Sequence, residues 1–382
     1  MGPLKGYRVI EMAGIGPAPF CAMMLADMGA EVIRVDRREK ADLGVVRKPA
    51  FEVMNRGRST IAVDIKKPEA VAVVKRLVAN ADAIIEGFRP GVMERLGLGP
   101  DVLAEINPRL VFGRMTGFGQ EGPMAARAGH DINYIALAGV LSHLGRAGER
   151  PAHPLNLVGD FGGGGMYLAF GVVCAMLEAQ RSGKGQVVDA AMVDGAASLM
   201  AMFHGMYAEG IWREERGTNM LDTGAPWYDV YETRDGQFVS IGSIEKRFYA
   251  DLLERLGLTG ETIPAQHDRQ GWPVLRARFT EIFKSRTRAE WETVFEGSDA
   301  CFAPVLSISE VADHPHNALR ETFVVRDGVQ QPAPAPRFSR TVPVLDVPPR
   351  PAGADTASVL ASIGYSEVEI SELLRSGVAG IA

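Results

Sequence analysis

Cysteine is scarce in this chain. Three occur in 382 residues, Cys21, Cys174 and Cys301, an odd number without metal-ligand spacing. That excludes a disulfide framework and points to a reducing compartment. A basic excess is lacking too: the net charge is -6, the wrong sign for a general nucleic-acid partner, although local basic clusters leave an anionic small ligand open. Long apolar runs are missing, since the longest charge-free stretch, Phe161 to Leu177, is short and glycine-rich for a membrane span. The opening "MGPLKGYRVIEM" has neither a signal nor a transit pattern. The expectation is a soluble, cytoplasmic protein with no membrane span.

Several familiar sites are also absent or incomplete. "AGIGPAPF" supplies Gly14 and Gly16 after the first strand, with Asp36 at the end of the second. The third glycine of a dinucleotide fingerprint is missing, however, and Pro17 and Pro19 remove N–H groups that pyrophosphate would need. A tight strand-to-helix turn that could still border a nucleotide is the better reading. "SGKGQ" is no P-loop, because Gly185 follows Lys184. "DFG" at 160–162 has none of the accompanying kinase signatures. No Gly-x-Ser-x-Gly elbow occurs, and Asp313, His314 and His316 in "DHPHN" lack further residues to complete a metal site. No metal is expected.

What is present begins as strand–helix alternation. "YRVIEM", "EVIRVD", "STIAVDI", "AIIEGF" and "RLVFGRMT" are short apolar strands, separated by helical stretches such as "PFCAMMLADMGA" and "PEAVAVVKRLVANAD". This pattern predicts an α/β fold with a parallel sheet covered on both faces. From His130 the pattern is mostly helical, through "DINYIALAGVL", "GGGMYLAFGVVCAMLEAQ" and "AAMVDGAASLMAMFHGMYAEG". The turn "RDGQ" between alternating strands then predicts an antiparallel hairpin in a second, smaller domain of residues 224–318. A proline-rich tail follows and ends in helix from "DTASVLASIG" onward.

Three features carry chemistry. Arg34, Arg37, Arg38, Arg56, Arg58, Lys66, Arg89 and Arg95 cluster along the α/β part. Several fall just after strands, where open sheets bind ligands; any one alone reads as part of a solvated charged rim, and together they suggest an anionic ligand such as a phosphorylated nucleotide. Asp160 precedes Phe161 and four glycines, Gly162–Gly165. It reads as an N-cap carboxylate beside a bare backbone turn able to hold an oxyanion; a plain cap, with glycines tolerated for helix packing, explains Asp160 but not four glycines. His130 in "AGHDINY" likewise opens a helix after glycine. Two titratable groups at two such helix starts can serve as acid and base on opposite sides of one carbon.

At these residues the sequence resembles the class III CoA transferases over nearly its whole length. "AGIGPAPF", "GAEVIRVDR", "MNRGRST", "EGFRPGVMERLGLG", "MTGFGQEGP", "SGKGQVVDAAMVDG" and "PWYDVYETRDGQF" carry the likeness, and "AGHDINY" with "NLVGDFGGGG" looks like its racemase branch. The resemblance implies an interlocked homodimer. It gives each chain a Rossmann-like large domain from both termini (1–190 with 330–382) and a smaller α/β domain (224–318), joined by linkers 191–223 and 319–329. It implies an acyl-CoA substrate and no cofactor beyond the CoA moiety itself. In the transferases the aspartate matching Asp160 is a nucleophile, so a transferase working through a covalent Asp160 intermediate is the alternative. In the racemases it pairs with the histidine matching His130 for two-base 1,1-proton transfer between (2R)- and (2S)-2-methylacyl-CoA. Glu245 matches a glutamate that orients this histidine. Arg37, Val63, Asp64, Ile65, Lys66, Gly87, Phe88, Arg89, Arg95, Gly129, His130, Asp131, Ile132, Asn133 and Tyr134 match CoA-contacting positions, with Phe88 standing where relatives can carry tyrosine. Met192, Leu199, Phe203 and Met206 form a helical stripe that reads as core. Met200 and Met202 lie off it and match a methionine-rich acyl surface, with a place in the core as the equal alternative.

Overall fold

A computed structural model describes residues 2–39 and 48–380. The chain forms two compact units, one of Met1–Ala138, Pro154–Met200 and Ala318–Ala382, the other of Gly139–His153 and Ala201–Asn317. These limits differ from the sequence expectation. Gly139–His153 goes to the small unit because Arg146 pairs with the buried Asp229 at 3.0 Å and Trp212 Nε1 donates to His143. Residues 318–329 go to the large unit, where the hairpin they begin is held by Arg56, which donates to Gln331 Oε1 and to the Pro332 carbonyl.

Six parallel strands build the large sheet: β1 (Arg8–Met12), β2 (Glu31–Arg37), β3 (Arg58–Val63), β4 (Ala83–Glu86), β5 (Val111–Thr116) and β6 (Val187–Ala191). The small unit has an antiparallel sheet of β7 (Tyr228–Glu232), β8 (Phe238–Gly242) and β9 (Phe302–Pro304). The β7–β8 turn falls at the predicted "RDGQ". In the large unit, β10 (Phe323–Arg326) and β11 (Val329–Pro332) form a hairpin. A two-residue strand, β12 (Ala379–Gly380), adds antiparallel to β3, giving the order β12-β3-β2-β1-β4-β5-β6. The pattern did not reveal β6, β9 or β12, which are short or polar on one face.

The helices of the large unit are α1 (Pro17–Asp27), α2 (Pro68–Val78), α3 (Val92–Arg95), α4 (Pro100–Ile106), α5 (Asp131–Leu137), α6 (Tyr167–Ser182) and α7 (Met192–Leu199), with two more at Thr356–Ser362 and Glu367–Arg375. Proline opens α1, α2 and α4, where its missing N–H costs nothing. Strands buried on both faces explain the continuous Val/Ile runs. One face packs Ile10, Ile33, Ile61 and Ile84 under α2 and the C-terminal helices; the other packs Val9, Val32, Ile85 and Val111 under α1 and α6. Strand order reverses between β1 and β4, which flank each other, so a crevice opens past their carboxyl ends.

The helix expected through residues 190–210 is two, α7 and the segment Ala201–Ala208, broken at Met200. The continuous core stripe is therefore absent: Leu199 is exposed, whereas Met200 is buried. A second difference lies ahead of α6. Leu157–Met166 is a ten-residue π-helix that runs directly into it. Together they make a 26-residue helix, Leu157–Ser182, long and apolar enough to cross a membrane by length and composition. Within the large unit its Leu168, Val172 and Met176 are buried against the sheet.

Candidate active site

The turns after β1, β4 and β5 enclose a cavity of about 790 Å³ lined by Gly14–Pro17, Gly87–Pro90 and Met115–Phe118, closed on other sides by Val53–Asn55, Gly129, His130, Tyr134, Asn156, Asp160 and Met192. A second cavity of about 300 Å³ lies past β2 and β3 and includes Arg37, Arg38, Asp64, Ile65 and Lys66. Phe88 lines both.

His130 is the N-cap of α5, as the sequence predicts. Its backbone is extended, and its N–H donates to Asn133 Oδ1 at 3.0 Å, half of a capping box. The imidazole is exposed at the cavity. Asp160 is placed differently from the expectation. Asn156, not Asp160, holds the N-cap position, and Asp160 sits inside the π-helical first turn. Asn156 Nδ2 donates to Asp160 Oδ2 at 3.0 Å. A Cβ on Gly16 would lie 3.2 Å from that same oxygen, and Gly16 has φ +69, so the β1–α1 turn needs glycine both for its backbone and for the carboxylate beside it. Burial raises the Asp160 carboxyl above its ordinary range; the Asn156 hydrogen bond opposes this, nearby Asp131 adds to it, and His130 opposes it. Burial likewise pushes Tyr134 up to about 12. Its hydroxyl donates to the Gly129 carbonyl and braces the loop before His130.

The glycine run has a packing role, which the sequence reading set aside. A Cβ on Gly163 would sit 2.5 Å from Ala196 N, one on Gly164 would sit 2.8 Å from Met192 Cγ, and one on Gly165 would sit 2.8 Å from the Pro17 carbonyl. The run lets the wide π turn press against α1 and α7 at once. Moreover, the Asp160 N–H is already engaged, donating to Asp131 Oδ1 at 2.7 Å. It is not free for an oxyanion.

The expected CoA positions divide among several places. Gly87, Phe88, Arg89, Gly129, His130 and Tyr134 line the larger cavity. Arg37, Val63, Asp64, Ile65, Lys66 and Phe88 line the second, where the Arg37 guanidinium lies 5.6 Å from the Phe88 ring. Arg95, Asp131, Ile132 and Asn133 line neither: Asp131 is buried, Asn133 caps its own helix, and Arg95 and Ile132 are exposed elsewhere. Glu245 belongs to the small unit, exposed as the N-cap of the helix Lys246–Arg255.

The basic cluster is smaller than its sequence count. Arg34 pairs with Asp36 at 3.0 Å, Arg56 with Asp27 at 2.6 Å and Arg58 with Glu11 at 2.6 Å, all buried. Arg56 and Arg58 tie α1 to the sheet, Arg58 also donating to the Pro19 and Met54 carbonyls, whereas Arg34 and Asp36 pair within β2. For Arg56 and Arg58 the sequence signal failed because a buried pair looks like a surface charge when its partner lies tens of residues away. Asp36, being paired, offers no ribose acceptor. Sequence reasoning also missed Asn156 and gave Gly16 only a turn role; an amide four residues before Asp160 was the available signal. Among the described residues no group of three or more His, Cys, Asp or Glu side chains could hold a metal.

A model of CoA-transferase family III matches residues 4–356. The chain is 46% identical to an alpha-methylacyl-CoA racemase of Mus musculus, covering 97% of this chain and 96% of the relative. It is 44% identical to the Homo sapiens racemase of the same description over the same shares. Identity to the succinyl-CoA:glutarate CoA-transferase of Mus musculus is 30%, over 99% of this chain and 90% of the relative. Among solved structures, a CAIB/BAIF family protein from Brucella suis matches with TM-score 0.81 at 26% identity, covering 95% of this chain and 99% of that one.

Proposed function

The chain belongs to CoA-transferase family III, and from that premise we propose that it is a racemase of 2-methylacyl-CoA thioesters, interconverting the (2R) and (2S) epimers. The observation that carries this reading is the convergence of His130 and Asp160, from two different helix starts, on one cavity. The full-length likeness to two racemases supports it over the transferase alternative.

The proton α to a thioester carbonyl is a weak acid. One base removes it and leaves an enolate; the conjugate acid of the other returns a proton to the opposite face. Each positioned proton-transfer group contributes about 10²–10⁴-fold. Burial suits Asp160 to this, because a carboxyl raised above its ordinary range is a stronger base and still able to carry a proton. The proton balance needs no metal, redox group or cofactor beyond CoA.

Arg37, Lys66 and the Gly87–Arg89 turn hold the CoA moiety across the two cavities. Glu245 is exposed in the small unit, and its role is the one that the resemblance gives it, orienting the catalytic histidine. The working form is the interlocked homodimer, which would cover the exposed Met166, Phe170 and Leu177 of the Leu157–Ser182 helix and makes that helix a core element instead of a membrane span.

The test is proton NMR of (2S)-methylacyl-CoA in D₂O with no carboxylate acceptor. Loss of the α-proton signal with growth of the (2R) epimer is expected. Turnover only with an acceptor acid, and a hydroxylamine-sensitive adduct on Asp160, would establish the transferase instead.

A further inference from the structure

Asp131 is an unexpected place for an acid. Its side chain is 5% exposed and makes no ion pair among the described residues. Oδ1 accepts the Asp160 N–H at 2.7 Å, while Oδ2 is buried with no hydrogen-bond partner. A Cβ on Gly159 would lie 2.5 Å from Oδ1, so residue 159 must be glycine for the carboxylate to reach the turn. A buried acceptor left unpaired costs about 1–3 kcal/mol, and more when charged. Asparagine could accept the same N–H and would leave only an uncharged amide group unpaired in place of a charged oxygen, so the N–H alone does not account for an acid here.

We propose that Asp131 is a positioning residue for proton transfer: its carboxylate ties the Asp160 turn to the helix start that carries His130, and its unpartnered oxygen stands as a fixed negative charge against Asp160. The clamp sets the two bases in register; the charge makes Asp160 hold its proton more tightly. This rests on the two-base reading above and reassigns Asp131 from a CoA contact to the machinery behind the bases.

The surroundings agree. Of the elements packed on the π segment, α5 brings His130, Asp131 and Tyr134 toward Asp160, and Tyr134 stays protonated. From α1 come Gly16 and Pro17, and from α7 come Met192, Gly195 and Ala196, with Asp194 exposed. Arg114 of β5 is taken by Glu86 and Glu94, and Asp189 of β6 accepts the Gln120 N–H. The charges that act on Asp160 are therefore Asp131, which raises its carboxyl, and His130, which lowers it.

The experiment compares Asp131→Asn and Asp131→Ala in the full chain by pH profiles of α-proton exchange from each epimer, with melting temperature as a control. Asp131→Asn keeps the acceptor and removes the charge. The limb assigned to Asp160 should move to lower pH, with exchange by that base reduced about tenfold and KM little changed. Asp131→Ala removes the clamp as well, and kcat should fall about 10²-fold in both directions. An Asp131→Asn enzyme with an unmoved limb and unchanged kcat would overturn the proposal, as would losses that merely track unfolding. A ¹³C titration of the Asp160 carboxyl, identified by its disappearance in Asp160→Asn, separates this from the functional reading. A lower midpoint in Asp131→Asn supports the charge effect even if no acyl-CoA turns over, and an equal midpoint refutes it.

Discussion

The two helix starts that face the cavity are built in opposite ways. His130 caps a short α-helix through an ordinary box with Asn133 and stands exposed. Asp160 lies within a π-helical turn wedged between α1 and α7, half-buried, its backbone held by Asp131 and its side chain by Asn156. On the two-base reading, the difference teaches how one site holds two titratable groups of different type. Imidazole changes charge near neutrality in water; a carboxyl must be lifted toward that range, and burial is what lifts it. The tightly packed start holds the carboxyl, which burial raises.

The sharpest way to break the comparison is to delete one base at a time. Asp160→Asn and His130→Ala should each lower racemisation by about 10²–10⁴-fold. Each should nevertheless exchange the α-proton of one epimer for deuterium without inverting it, and the two variants should favour opposite epimers in a D₂O NMR assay. Exchange of both epimers by either variant would mean that a single base serves both faces.

Packing comes next. In Gly163→Ala the new methyl would meet backbone atoms of Gly195 and Ala196 that cannot step aside, so thermal unfolding should show a loss of about 1–3 kcal/mol or more. Gly205, in the helix Ala201–Ala208, has nothing within reach of a Cβ; Gly205→Ala should be neutral or stabilise by up to about 1 kcal/mol. Equal effects at the two positions would remove the packing account of the glycine run.

A smaller effect should follow from Asn156→Ala. This removes the hydrogen bond that opposes burial at Asp160, so the Asp160 limb of the rate profile should move to higher pH, opposite in sign to Asp131→Asn. The smallest effect expected is at Glu86, which accepts the Phe88 N–H at 2.6 Å beneath the Gly87–Arg89 turn. Burial raises it to about 7, the Phe88 N–H and Arg114 notwithstanding. With the folded value above the unfolded one, its contribution to stability is fully present below about 4.3 and is lost as pH rises through about 7. Glu86→Gln should therefore flatten the melting temperature across that window relative to the parent, as scanning calorimetry would record.

The sequence by itself determined the layered plan. Val/Ile runs alternating with proline-opened helices fixed β1 to β5 with α1 and α2, because burial on both faces of a parallel sheet writes itself into consecutive residues. It also fixed His130 as a helix start and the hairpin turn at "RDGQ", since capping and turn chemistry are local. Only the tertiary structure decided which arginines are buried in ion pairs and which line a cavity, why Gly163 to Gly165 are glycine, that Asn156 and Gly16 flank the Asp160 carboxylate, and that Asp131 holds the Asp160 backbone. Each of these is a close approach between segments far apart in the chain: Asp131 and Asp160 are 29 residues apart, Arg56 and Gln331 275. Local pattern carries no record of such distances. A buried charge, a bare glycine and a surface residue look alike until the fold brings up, or withholds, the partner.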